Sequence, residues 1–480
     1  MNKKNLYIYT IGCQMNVYDS DQIESILKPL GYLRTRTFET ADLIIVNTCS
    51  IRAKAEQKAF SFLGRLADLK RSNPNIVIAM GGCVAQQEKE KVLKRMPHVD
   101  LVFGTHAIHR LPKMLIRIQK DRCKIVDVKQ TEDILADEFV TSAVSLGQIS
   151  TFVTIMRGCD NYCTYCVVPY VRGRESSRSP HDIVTEVENL VAQGIKEVTL
   201  LGQNVNSYGR KELMLTFPQL LALINNIDGL ERIRFTTSHP KDLGPDLMAS
   251  FKSLDKLCKH IHLPVQSGSD EILKRMNRKY TRQLYLDTVN QLRSICPDIA
   301  ITSDIIVGFP GESEADFQQT LNLIQEIRYH SIFAFKYSDR PFTPATRFSD
   351  KVSEKTKDER LQAVLNIQKK ITKEKHTSLI GTIQQVLVEG PSKRSDEGEE
   401  IQLNCQAAGN IFPSQWTGRT STNLIVNFYV SQKTVPININ LSGLMVDVII
   451  EKAMAHSISG RIINNDPLKD GLKGDNWYAA

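Results

Sequence analysis

The sequence predicts an α/β protein in three parts. An amino-terminal doubly wound parallel sheet over residues 1–145 is followed by a central open (β/α)6 barrel over 146–374, a small antiparallel β-barrel over 375–462 and a polar tail over 463–480. Three observations predict it. Short apolar runs alternate with helix-period stretches through the first two parts, the pattern of parallel strands covered by helices. After Gly381 the pattern changes to short runs of β character separated by Gly and Asn. The chain has 480 residues, more than one hydrophobic core normally serves.

In the first part, Leu6 to Ile11 reads as a strand and Asn16 to Leu30 as a helix that Gly31 ends. Asp42 to Val46 and Asn75 to Met80 are further buried strands, each followed by a helix, at Ile51 to Lys70 and Val84 to Lys94. A cysteine falls just past the carboxyl end of each strand: Cys13 in Thr10-Ile-Gly-Cys-Gln-Met-Asn16, Cys49 in Asn47-Thr-Cys49 and Cys83 in Gly81-Gly-Cys83. Neighbouring parallel strands build their sites at those ends, so the three thiols are expected to converge on a metal centre. Gly12, Gly81 and Gly82 would let the backbone approach it. Three small buried residues in strand-to-helix turns are the alternative.

The central part opens with a strand at Thr151 to Met156 that runs into Cys159-Asp-Asn-Tyr-Cys163-Thr-Tyr-Cys166. One tight loop of that spacing can turn three sulfurs onto a single centre. Three thiolates on a four-iron cluster leave one iron open, and an open position marks a reactive site. Zinc is the rival, but it normally takes four closing ligands and no fourth Cys or His lies nearby. Ser179-Pro180 then starts a helix that Gly194 stops. Further strands are expected at Lys196 to Leu201, Arg232 to Thr236, Lys259 to Leu263, Ile299 to Ile306 and Ser331 to Phe335, making six strand-helix units. Six are too few for a closed eight-stranded barrel and suit an open one. Lys274, Arg275, Arg278, Lys279 and Arg282, with Arg172, Arg174 and Arg178, suit either phosphate contacts or a solvated helix face. His239 and His262 read as packed histidines.

A long charged helix is expected from Ser353 to about Thr377, then strands at Thr382 to Glu389, Ile401 to Cys405, Leu424 to Val430 and Leu444 to Glu451. Cys405 and Cys123 lack partners at metal spacing. The net charge of +8 is compatible with a polyanionic partner without requiring one. No apolar run approaches the ~20 residues of a membrane helix, and ten cysteines in a chain without a signal-peptide core point to metal ligation in the cytoplasm.

Both cysteine triads, with Gly12-Cys-Gln-Met-Asn16, Asn47-Thr-Cys49, Cys159 to Arg174 and His262-Leu-Pro-Val-Gln-Ser-Gly-Ser269, resemble the radical S-adenosylmethionine (SAM) methylthiotransferases. Arg157 departs from the acidic residue expected there. The resemblance implies two [4Fe-4S] clusters, one on Cys159, Cys163 and Cys166 that binds SAM, and an auxiliary one on Cys13, Cys49 and Cys83. By position in the family's loops, Tyr165, Gln203, Asn204, Ser238, Gln266 and Asp304 would contact SAM. No side chain is assigned a catalytic role of its own. Trp416-Thr-Gly-Arg-Thr420 and Asn423-Leu-Ile-Val-Asn-Phe428 are similar to the RNA-binding TRAM domain. The implied activity is methylthio transfer to C2 of N6-isopentenyladenosine in a tRNA anticodon stem-loop, by a monomer supplied with electrons by a low-potential donor such as flavodoxin or ferredoxin. Relatives that act on N6-threonylcarbamoyladenosine in tRNA, or on an aspartate of a ribosomal protein, share both triads, so the substrate stays open here. A non-enzymatic iron-sulfur RNA-binding or redox-sensing protein would not need an open iron beside six strand-helix units.

Overall fold

Strands made of Leu, Ile and Val on both faces are stable only between two layers of helix, and the first domain is built that way. The computed structural model describes residues 3–50, 53–131, 144–145, 147–392, 415–430 and 440–463. Among them, β1 (Lys4–Thr10), β2 (Tyr32–Arg34), β3 (Leu43–Thr48), β4 (Val77–Gly82), β5 (Leu101–Phe103) and β6 (Ile125–Asp127) form a parallel sheet of order β2-β1-β3-β4-β5-β6. Leu43 and Ile45 of β3 join the core on one face, Ile44 and Val46 the core on the other. The helices are α1 (Gln14–Leu27), α2 (Ala53–Ser72), α3 (Cys83–Glu88), α4 (Lys91–Arg95) and α5 (Leu111–Asp121). The helix expected at Val84 to Lys94 is thus two, divided where Lys89 turns to φ +52°. The strands β2, β5 and β6 went unanticipated because three residues are too few to show a period.

The central domain runs β7 (Ser150–Thr154), β8 (Met156–Arg157), α6 (Val168–Arg172), β9 (Ser176–Ser177), α7 (Pro180–Ala192), β10 (Glu197–Leu201), α8 (Phe217–Asn225), β11 (Arg232–Phe235), α9 (Pro245–Ser253), β12 (His260–His262), α10 (Asp270–Arg275), α11 (Arg282–Ile295), β13 (Ala300–Val307), α12 (Glu314–Ile327), β14 (Ser331–Lys336) and α13 (Glu354–Thr377). Its barrel strands form two parallel three-stranded sheets, β11-β10-β7 and β12-β13-β14, which meet at the bridge between Ile233 and Leu257. The barrel is open, as six units require. The short ladder of β8 on β9 ties together the two ends of the cysteine loop. The helix α13 lies back across the barrel, where Arg360 pairs with Glu312 at 2.7 Å and Gln368 donates to Tyr329 O at 3.0 Å.

The carboxyl-terminal strands β15 (Ile383–Pro391), β16 (Gln415–Thr420), β17 (Ile425–Tyr429), β18 (Met445–Ala453) and β19 (Ile458–Ile462) close into a ring of order β15-β16-β17-β19-β18. The ring was expected to be antiparallel, yet β17 and β19 pair in parallel. An odd number of strands cannot alternate direction all the way round. The strand expected at Ile401 to Cys405, with Cys405 itself, and residues 464–480 of the tail lie outside the described residues.

Buried arginines join the parts. Arg234 pairs with Glu197 at 2.8 Å and donates to the carbonyls of Thr420 at 2.7 Å and Ser421 at 3.1 Å. The Lys259 N–H, just before β12, donates to Ser421 Oγ at 2.8 Å. Arg234→Ala leaves the Glu197 carboxylate buried without its cation, a change worth about 3–5 kcal/mol. The variant should expose the small barrel to protease earlier on heating, and adding Glu197→Gln should restore part of the loss. A protease profile identical to the parent's would contradict the role given to this pair.

Candidate active site

Two asparagines hold the exits of β1 and β3 together. Asn16 Nδ2 donates to Asn47 Oδ1 and to Thr48 O, both at 3.0 Å, and Asn47 Nδ2 returns a bond to Asn16 O at 2.8 Å. Cys13 therefore sits at the start of α1 against Cys49, and a Cβ on Gly12 would lie 2.6 Å from Cys49 Cβ. Cys83 opens α3 at the end of the adjacent strand β4. Gly82, at φ +88°, lets the chain pass the Thr48 carbonyl, whereas Gly81 makes room for the Phe103 ring. The structure thus brings Cys13, Cys49 and Cys83 together. The hydrogen bond to Cys49, reinforced by Arg172, pulls the Cys13 thiol down to about 6, while burial pushes Cys83 up.

The second triad follows β8. Gly158 N–H donates to the Gln203 side chain, and Thr164 is held at both ends, its N–H donating to Met276 O at 3.1 Å and its Oγ1 to Arg275 O at 2.8 Å. Cys166 N–H donates to Cys163 O at 2.9 Å, which winds the loop into the turn its spacing allows. Burial raises Cys159 to about 11 and Cys166 to about 12. Burial thus keeps these thiols protonated, and binding a metal would release their protons. Arg278 Nη1 lies 3.4 Å from both the Cys163 sulfur and the Tyr165 hydroxyl.

The triads are neighbours. Cys83 packs against Val167 and Val171, on and beside α6, and Arg172 at the end of α6 donates to Asp19 of α1 at 2.7 Å while lying against Cys83. One cavity of about 3290 Å³ is lined by all six thiols, with Arg419 and Ser421 of the small barrel in its wall. It exceeds the ~300–1,000 Å³ of ordinary small-molecule sites several-fold.

Tyr165, Gln203, Ser238, Gln266 and Asp304 line this cavity; Asn204 does not. Asn204 Nδ2 donates instead to Ser207 Oγ at 3.0 Å and Asp242 Oδ2 at 2.8 Å, holding the turn after β10. Ser238 Oγ, His239 Nε2 and Gln266 Oε1 are buried in the wall with no hydrogen-bond partner among the described residues. Buried polar atoms left unpaired point to a polar ligand. Asp304 Oδ1 stands 3.5 Å from His262 Nε2. His239 was read as a packed histidine, yet it faces the ligand space. Arg172, Arg178 and Arg278 are expected to contact phosphates or to lie on a solvated helix face, yet all three are buried, Arg178 against Glu186 at 2.7 Å. Nothing in sequence separates a buried arginine from an exposed one on a basic helix.

The chemistry of the donor set fits iron-sulfur clusters. Each triad offers three soft thiols without disulfides, opening on a ligand cavity. No group of three or more His, Cys, Asp or Glu among the described residues converges as the ligands of one metal ion would.

Residues 153–324 match the radical SAM superfamily and residues 5–104 the uncharacterized protein family UPF0004, one triad in each. The chain is 53% identical to the tRNA-2-methylthio-N(6)-dimethylallyladenosine synthase of Desulfosudis oleivorans over 98% of this chain and 99% of that one. It belongs to that synthase family. The synthase of Geobacter metallireducens is 52% identical over 96% of this chain and 98% of its own. Among solved structures, the radical SAM methyltransferase TsrM of Kitasatospora setae superposes with a TM-score of 0.54 over 80% of this chain and 78% of that one, at 13% identity, which establishes a shared fold.

Two outcomes are expected. Anaerobically reconstituted protein should hold about eight irons, falling to about four when Cys159, Cys163 and Cys166 are all Ala, if each triad holds its own cluster. Iron and sulfide analysis checks this, and an unchanged content would refute it. The second concerns His106, whose Nε2–H donates to Arg172 O at 3.0 Å while Nδ1 accepts from Thr131 N at 3.2 Å. Burial, aided by Arg157, lowers it to about 4. Between that value and the unfolded ~6.5 the unfolded chain binds the extra proton, so this contribution is lost as pH falls from about 6.5 to about 4. In His106→Gln the urea midpoint should vary less across that window.

Proposed function

We propose that the chain is a radical SAM tRNA methylthiotransferase that adds a methylthio group to C2 of an N6-isopentenyladenosine in a tRNA anticodon loop. The observation that carries this reading is the opening of both cysteine triads into one cavity, in a chain whose relatives bear that activity in their names. An aromatic C–H offers neither a useful acid nor a leaving group, so proton transfer alone cannot functionalise it. With clusters held by Cys159, Cys163 and Cys166 and by Cys13, Cys49 and Cys83, the cofactors would supply one-electron cleavage of SAM to a hydrogen-abstracting radical, and the sulfur to be transferred.

The side chains bind and position. His239 is held neutral by burial, which lowers it to about 2. Its Nδ1 accepts from Lys241 N–H at 3.3 Å, so Nε2 carries the proton and presents a donor to the cavity. Ser238 Oγ would donate to the carboxylate of SAM, Gln266 Oε1 would accept from its amine and Asp304 from the ribose hydroxyls, and Tyr165 would take the adenine. Gln203 holds the loop through Gly158 N–H, and Arg278 supplies fixed positive charge beside Cys163. The polar wall lies at the carboxyl ends of the barrel strands, where such folds place their ligands.

The domain limits follow the same reading: the auxiliary-cluster domain over 1–145, the radical SAM domain over 146–374 and a TRAM RNA-binding barrel over 375–462. An unpaired loop base can be splayed into a pocket at modest expense, and the small barrel stands at the cavity wall to hold the RNA. The enzyme would act as a cytoplasmic monomer with flavodoxin or ferredoxin as electron donor. No helix among the described residues is long and apolar enough to cross a membrane.

The triads should fail differently. Replacing any of Cys159, Cys163 or Cys166 by Ala should abolish 5′-deoxyadenosine formation. Replacing Cys13, Cys49 or Cys83 should leave SAM cleavage in place while no methylthiolated nucleoside appears in digested tRNA. A folded Cys49→Ala protein making that nucleoside at the parent yield would overturn the sulfur-donor role.

A further inference from the structure

Three large aromatic side chains stand in water beside the second cysteine loop. Tyr162 is 43% exposed, Tyr170 38% and Phe342 58%, and the three are in contact. Ring centroids of Tyr162 and Tyr170 are 6.4 Å apart at 84°, those of Tyr170 and Phe342 6.1 Å apart at 35°. Each stands within two residues of the cavity wall, next to Cys163, Val171 and Arg340 respectively, so the group sits on the cavity rim.

Two of the three are held there against backbone preference. Tyr162 has φ +47° and Phe342 φ +70°, a left-handed conformation disfavoured for side chains of this size. Tyr162 is fixed by Asn277 Nδ2, which donates to its carbonyl at 3.0 Å, and the turn at Phe342 by Thr343 Oγ1, which donates to Arg340 O at 2.8 Å. Asn277 lies between Lys274 and Lys279, both exposed, and Arg174, at the end of the cysteine loop, has a side chain 63% exposed opposite Asp160. Aromatic faces in water, flanked by cations, are the means by which proteins hold single-stranded nucleic acid. Three residues are far fewer than the ~20–30 a side that a stable protein interface uses.

We propose that Tyr162, Tyr170 and Phe342 form a stacking platform for an unpaired nucleobase next to the one that enters the cavity, with Lys274 and Lys279 taking the adjoining phosphates. This rests on the reading of the substrate as an RNA loop. The platform holds the loop open at the rim while the target base is inside. Because every base has a π face, it tolerates different neighbouring bases.

The test uses the full chain and fluorescence anisotropy with two probes, an RNA hairpin with an unpaired loop and a blunt RNA duplex. In the double variant Tyr162→Leu/Phe342→Leu the hairpin Kd should rise about tenfold or more, while the duplex Kd and the salt slope for the hairpin stay at parent values. Tyr162→Phe/Phe342→Tyr, which keeps both rings, should bind as the parent does. Lys274→Gln and Lys279→Gln should each lower the salt slope by about one. A double Leu variant that keeps the parent's preference for the hairpin overturns the platform alone, and so does one that loses hairpin and duplex binding together. A parent chain that does not prefer the hairpin overturns the RNA-loop reading beneath it.

Discussion

A guanidinium buried between two domains has to be neutralised where it lies, and Arg172 is neutralised by Asp19. Both side chains are about nine-tenths buried, and taking two charges out of water is costly enough that the pair contributes little net stability. Its contribution is placement. Arg172 closes the helix that follows the second cysteine loop, Asp19 lies on the helix that follows Cys13, and the guanidinium rests on Cys83. Thr105 Oγ1 donates to Val171 O at 2.9 Å and His106 caps the next carbonyl, so the helix end is held from two sides by the first domain. Two cysteine-bearing loops thereby share one wall, and the breadth of the cavity follows from that contact.

A shared cavity constrains the chemistry. A reactive carbon radical is useful only if its target is within reach and competing reactions are excluded. With both triads on one space, a base that gave up a hydrogen there would not have to leave before it met sulfur held by the other triad. His239, held neutral by burial, can donate a hydrogen bond to a ligand from this wall without giving up a proton.

What could be read in advance was whatever follows from local pattern. Cys13, Cys49 and Cys83 were legible as a group because strand exits in a parallel sheet lie side by side, and β1, β3 and β4 are indeed adjacent. The motif asparagines Asn16 and Asn47 were visible as residues, but their mutual hydrogen bonds belong to the folded arrangement. The split at Lys89 was hidden because Gln86 to Lys91 are all good helix formers, with no Gly or Pro to mark a break. Asn204 misled because position after a strand end says nothing about which way an amide turns, and Asp242, which captures it, is 38 residues away. Arg172 and Arg278 were misjudged for a related reason: burial of a charge depends on partners that arrive from other elements, Asp19 in one case and the cysteine loop in the other. The parallel pair in the small barrel follows from a strand count that no single run of residues contains.

The seam between the two half-sheets of the central barrel gives the small barrel a mechanical meaning. The strand β11 meets Leu257, just before β12, at one bridge, and Ser421 grips both sides of it, its carbonyl accepting from Arg234 on β11 and its hydroxyl from the N–H before β12. The appended barrel is thus a clasp over the seam between the half-sheets. A load on it would be passed to that seam through Arg232, Arg234 and Ser421 together.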